Sequence, residues 1–172
     1  RLWGFNPKGY HIVNIVLHAL TAVLVWRVLL RIKVPGAWLI AMVFALHPVQ
    51  VETVSWVTER KNTLSGLFYM LALLCYLKFY GGKNWAWYLL SFLAFLLAMF
   101  SKTVAASLPV AILLLVWLAR ERFSMVRLAG LVPFFAVGLC MGHLTAWYEF
   151  HKEKTEYSRP MPIEQAVKLS RQ

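Results

Sequence analysis

NWAWYLLSFLAFLLAMFSKTVAASLPVAILLLVWLARER, residues 84–122, is two apolar runs joined at a single lysine. Residues 84–101 and 103–119 carry no acidic or basic side chain; Lys102 separates them, and Arg120-Glu121-Arg122 closes the second. The apolar residues are continuous rather than alternating, which argues for helices and against the strands of a membrane barrel. Each run sits in the lower part of the range of about 17 to 25 residues that spans a hydrocarbon core. Trp85, Trp87 and Tyr88 open the first run as an aromatic belt at a membrane interface would.

Further segments on both sides share this character. Together the sequence predicts an all-α, polytopic transmembrane bundle of about six helices, each near the length a bilayer requires. The expected spans are 12–31, 34–51, 62–79, 84–101, 103–119 and 128–148, followed by a polar segment over 149–172. Arg27 and Arg31 close the first span, where they can snorkel. The third span needs Lys61 or Lys78 to do the same, with Tyr76 and Tyr80 read as interface anchors beside Lys78. Pro133 falls inside the last span. The composition agrees: 60% of the residues are hydrophobic and 15% are charged, against about 25% charged in a soluble domain. A soluble bundle of such helices has too little polar surface. Cys75 and Cys140 lie inside apolar runs and read as small buried hydrophobes, not a disulfide or zinc site. The chain starts at Arg1 and is expected to be an internal fragment.

The formal charge of +11 would raise nucleic acid as a partner for a soluble chain. Here the basic residues cluster in short loops, where they act as topology signals and lipid-phosphate contacts, so no nucleic acid is expected. The loops at 27–33, 78–83 and 120–127 hold eight Lys and Arg, against five on the other side up to the last span. The positive-inside rule then places loops 47–61 and 101–102, and the tail after 148, on the non-cytoplasmic side. The membrane is a bacterial inner membrane or the endoplasmic reticulum.

Chemistry concentrates in HPVQVETVSWVTERKN, residues 47–62. Pro48 ends or kinks the second span. Glu52 has apolar neighbours, and a carboxylate in that setting is a functional candidate. It can accept from a sugar hydroxyl, ligate a divalent metal, or pair with Arg60 or Lys102; a structural ion pair is the plainer reading. His47 can bind phosphate, move a proton or merely cap the helix. Lys102, nearly loopless between two apolar runs, calls for an anion such as Glu52 or a lipid phosphate. Arg60 and Lys61 lie on the same side and extend it into an anion cradle; ordinary interfacial anchoring is the alternative. His18 and Asn14 read as hydrogen bonds between helices, and His143 as a weaker functional candidate. No phosphate-binding glycine loop, HExxH or GxSxG is present.

GYHIVNIVLHAL (9–20), FALHPVQVETVSWVTERKN (44–62) and FSKTVAASLPV (100–110) follow one another in this order. The middle stretch carries the pattern HPxxxExVxWxxxRxxxL on His47, Pro48, Glu52, Val54, Trp56, Arg60 and Leu64. From residue 5 to about 150 the chain resembles polytopic glycosyltransferases of the GT-C fold. It is most similar to the membrane part of the tetratricopeptide-repeat O-mannosyltransferase-like proteins and their bacterial relatives. The resemblance implies a polyprenyl- or dolichyl-phosphate sugar as donor and a protein or glycan hydroxyl as acceptor, with transfer on the non-cytoplasmic face. It places the acidic general base in a loop before Arg1, so the fragment alone is expected to be inactive. Arg60, Lys61 and Lys102 then hold the donor phosphate, while Glu52 and His47 orient donor or acceptor. Relatives often read Lys-Glu where this chain has Lys102-Thr103, which weakens a metal-dependent mechanism. The competing readings are a transporter or flippase of a lipid-linked or anionic solute, and a non-catalytic membrane scaffold.

Overall fold

The computed structural model describes residues 7–50, 56, 59–82, 84–118 and 125–157. Over these residues the chain is all helical. In order it forms α1 (Pro7–Arg31), α2 (Ala37–Leu46), α3 (Arg60–Gly82), α4 (Trp85–Ser101), a 3-10 turn (Thr103–Ser107), α5 (Leu108–Leu118), α6 (Met125–Ala129) and α7 (Val132–Tyr157). Among the described residues, Gly9–Arg31 and Arg60–Gly82 are long and apolar enough to cross a membrane by length and composition. Ala37–Leu46, Trp85–Ser101 and Thr103–Leu118 are shorter apolar helices.

The helix ends follow from local chemistry. Asn84 caps α4, its side chain accepting from the Ala86 amide at 2.9 Å, which satisfies one of the free donors of the first turn. Pro109 and Pro133 stand in the first turns of α5 and α7, where a missing amide hydrogen costs nothing. Pro133 therefore begins a helix, whereas the sequence had placed it inside one. Within the apolar run over 34–51, α2 spans Ala37–Leu46, and Val49 and Gln50 are helical again after a break. His47 breaks it with an extended backbone, φ −64° and ψ 130°, the conformation that a following proline imposes. Similarly, Lys102 is extended at φ −160° and ψ 128°, so the second run of the opening stretch starts as a 3-10 turn. At the other end α7 continues to Tyr157, past the expected boundary at 148.

The core lies where α3 packs along α4, with α1 on the outer side of α3. Small residues line the α3–α4 seam: Ser65, Ala72, Ser91, Ala94 and Ala98 are all buried. They let the backbones approach, and side-chain hydroxyls bridge the gap, as between packed membrane helices. Ser91 Oγ donates to the Ala72 carbonyl at 2.7 Å and Ser65 Oγ to the Ala98 carbonyl at 3.3 Å. An aromatic cluster fills the far end. The Tyr76 and Phe134 rings meet edge to face at 5.6 Å, and Tyr88 and Phe92 pack on Phe134. Tyr76 and Tyr80 are thus core residues and not the interface anchors expected of them; Tyr88 of α4 and Phe134 of α7 pack on the Tyr76 ring. Lys78 keeps the anchoring position, its ammonium 4.1 Å from the Trp87 ring centroid. Cys75 is buried and Cys140 exposed, and both are free thiols.

Large apolar side chains also cover the outside. Ile15, Leu89, Leu93, Leu114, Trp117 and Leu139 are each more than half exposed. Soluble monomers rarely show apolar patches beyond a few hundred Å², so these faces belong against lipid and the fold is membrane-associated.

Candidate anion-binding site

The N-terminus of α3 and the junction after α4 meet at one end of the bundle. Lys102 Nζ donates to Asn62 Oδ1 at 2.8 Å. Asn62 Nδ2 in turn donates to Glu59 Oε2. The chain Lys102–Asn62–Glu59 orients the amide, and the lysine keeps further donors because an ammonium has three. Lys102 is exposed, with its charge toward a pocket of about 220 Å³ lined by Asn62, Ser65, Gly66, Tyr69, Lys102, Val104 and Ala105. Tyr69 Oη and Ser107 Oγ share a hydrogen bond of 3.3 Å and tie α3 to the 3-10 turn at the pocket's side. Gly138 of α7 lies against the same turn; a Cβ there would meet Ala106 at 3.5 Å.

Arg60 opens α3. Its guanidinium carbon stands 5.0 Å from the Tyr10 ring centroid, so α1 supports it by a cation–π contact. Its Nε and Nη2 are buried and have no hydrogen-bond partner. Such orphaned donors are costly and demand an explanation. Lys61 is exposed in the first turn of the same helix.

The cationic residues proposed from sequence therefore gather at one end of the bundle. The acidic one does not enter the description: Glu52 lies outside the described residues, as does the tail after 157. His47 is exposed, and its Nδ1 accepts from the Val49 amide at 3.2 Å, so it caps the turn after Pro48. His18 joins α1 to α2 through Nε2 and the Ala45 carbonyl at 3.1 Å, the interhelical role expected of it. Asn14 is fully buried and donates to the Trp56 carbonyl at 3.1 Å, fastening Trp56 to α1. His143 is exposed on α7. Asn62 was missed; a lone Asn at a helix start gives no sign of a lysine partner 40 residues away. Among the described residues no three His, Cys or Glu side chains converge as a metal site would require.

The fold defines a membrane-associated helical protein with a lysine-lined pocket at one end of its bundle. Residues 1–146 match the family described as dolichyl-phosphate-mannose-protein mannosyltransferase, and the chain belongs to that family. Among curated proteins it is 36% identical over 93 residues to protein O-mannosyl-transferase TMTC2 of Mus musculus, covering 50% of this chain. It is 36% identical over 96 residues to human protein O-mannosyl-transferase TMTC4, covering 47% of this chain. Against Drosophila melanogaster protein O-mannosyl-transferase Tmtc1 the identity is 32% over 105 residues, 59% of this chain. The matches cover 11% to 13% of these relatives' lengths. No solved structure matches the chain.

Proposed function

We propose that the chain is part of the membrane unit of a mannosyltransferase that takes its sugar from a polyprenyl- or dolichyl-phosphate donor, within a GT-C-like bundle of about six spans. Its site faces the non-cytoplasmic side and delivers the sugar to a protein or glycan hydroxyl. The observation that carries this reading is Arg60, whose buried Nε and Nη2 lack partners on the same helix turn as the Asn62–Lys102 pair.

Glycosyl transfer from a lipid phosphate leaves charge on the departing phosphate. Preorganised donors aimed at that charge lower the barrier without reorganisation. Arg60 offers the bidentate geometry that suits phosphate oxygens, and Lys102 a compact charge. Asn62 positions Lys102, while Lys61 adds to the field. Glu52, from the neighbouring segment, orients a sugar hydroxyl. The acceptor hydroxyl needs a base within hydrogen-bond reach; a carboxylate elsewhere in the full-length protein takes that role.

Transfer from a radiolabelled panel of lipid-phosphate sugars by the full-length protein in membranes tests the reading. Mannose transfer that collapses in Arg60→Ala and Lys102→Ala, at equal protein levels, supports it. Transfer that persists in both variants removes these residues from the site.

A further inference from the structure

A second concavity lies between α1 and α2, below the His18–Ala45 rung and away from the Arg60 end. Its volume is about 290 Å³, and Ala22, Val23, Trp26, Trp38, Ala41, Met42 and Ala45 line it. Apart from the two indole N–H groups and the weakly accepting Met42 sulfur, no lining side chain can donate or accept a hydrogen bond. Only hydrocarbon fits its chemistry.

Positive charge stands beside the lining residue Trp26 and in the connection from α1 to α2. The Arg27 guanidinium stands 5.6 Å from the ring centroid of Trp26, a lining residue, and is exposed. Two turns of chain further on, Lys33 is exposed with φ 59°. It ends α1 in a left-handed conformation, its amide bonded to the Leu30 carbonyl at 3.1 Å and the Val34 amide to the Leu29 carbonyl at 3.0 Å. Glycine is the usual residue at such a helix end, and a side chain there is strained. Strain retained at one position is a reason to look for a use of its side chain. The helix dipole favours a cation at this end, but Arg31 already occupies the last turn.

We infer that the α1–α2 groove holds one acyl chain of an anionic phospholipid, whose phosphate rests on Arg27 and Lys33. The apolar groove alone does not choose among lipids; the two cations select an anionic headgroup over a zwitterionic one. The inference rests on the membrane setting of these helices and not on the sugar-transfer reading, since the donor pocket lies at the other end of α1.

The test is native mass spectrometry of the full-length protein released from vesicles of equal phosphatidylglycerol and phosphatidylcholine. Wild type should retain phosphatidylglycerol preferentially. A juxtamembrane Lys or Arg contributes about a fivefold preference, so Arg27→Gln and Lys33→Gly should each reduce it by about that factor. Lys33→Gly removes the backbone strain, so it should keep or raise thermal stability while its lipid preference falls about fivefold. Val23→Trp, which fills the groove from its exposed side, should lose the lipid with the charges intact. Equal retention of the two lipids by wild type would overturn the inference, as would preference unchanged in Lys33→Gly or Val23→Trp.

Discussion

Arg60→Met should make the protein more stable and less able to bind its donor. The guanidinium has two buried donors without partners, Nε and Nη2. Leaving a buried donor unsatisfied costs about 1–3 kcal/mol. The Tyr10 contact at 5.0 Å returns about 0.5–2 kcal/mol. Arg60 is half-buried, which trims the first figure, so removing the charge should gain about 1–2 kcal/mol. Methionine keeps an unbranched chain against the Tyr10 ring and leaves little cavity. For a unit of this size each kcal/mol moves the midpoint by about 2–4 °C. The assay is thermal unfolding of the full-length protein in lipid nanodiscs, with and without dolichyl phosphate. Without ligand the variant should melt a few degrees above wild type. With ligand, wild type should gain stability by mass action and the variant should gain little. A variant that melts lower without ligand would refute the reasoning, because it would mean Arg60 already has its partners within the fold.

The α3–α4 seam admits only small side chains, so Ser91→Leu should destabilise by about 1–3 kcal/mol through overpacking, whereas Leu89→Ala on the outer face should stay within about 0.5 kcal/mol; chemical unfolding in detergent measures both. The Lys102–Asn62 hydrogen bond should give a coupling of about 0.5–1 kcal/mol in a double-mutant cycle with Asn62→Ala and Lys102→Ala, read as thermal stability, and strict additivity would deny it. His47 acts as a cap, so His47→Leu should cost about 1 kcal/mol and His47→Asn much less. Transfer activity in His47→Asn should remain near wild type, and its loss would return the imidazole to the chemistry.

Much of the helical character was legible because lipid-facing helices need no polar stripe: uninterrupted runs such as 84–101 can only be satisfied by their own backbone bonds. The ends were less legible. The proline effect on His47 cut α2 to 10 residues, and the extended Lys102 turned the start of the following run into a 3-10 turn. Of the site, the cations stood out because a charge between apolar runs is expensive. Their partners did not. Asn62 meets Lys102 across 40 positions, and Tyr10 lies beneath Arg60 across the α1–α3 interface; neither follows from local pattern. Tyr76 and Tyr80 were misplaced for a related reason. A tyrosine at a helix end reads as an interface anchor until a neighbouring helix is known to cover it.

The most direct measurement is the affinity of the full-length protein for dolichyl-phosphate mannose, compared across wild type, Arg60→Gln and Lys102→Gln. Charge-assisted hydrogen bonds to phosphate are worth about 1.5–3 kcal/mol each. Each substitution should therefore weaken binding by about 10- to 100-fold, while the same substitutions leave thermal stability without ligand near wild type or above it. Wild-type affinity in both variants would contradict the phosphate site.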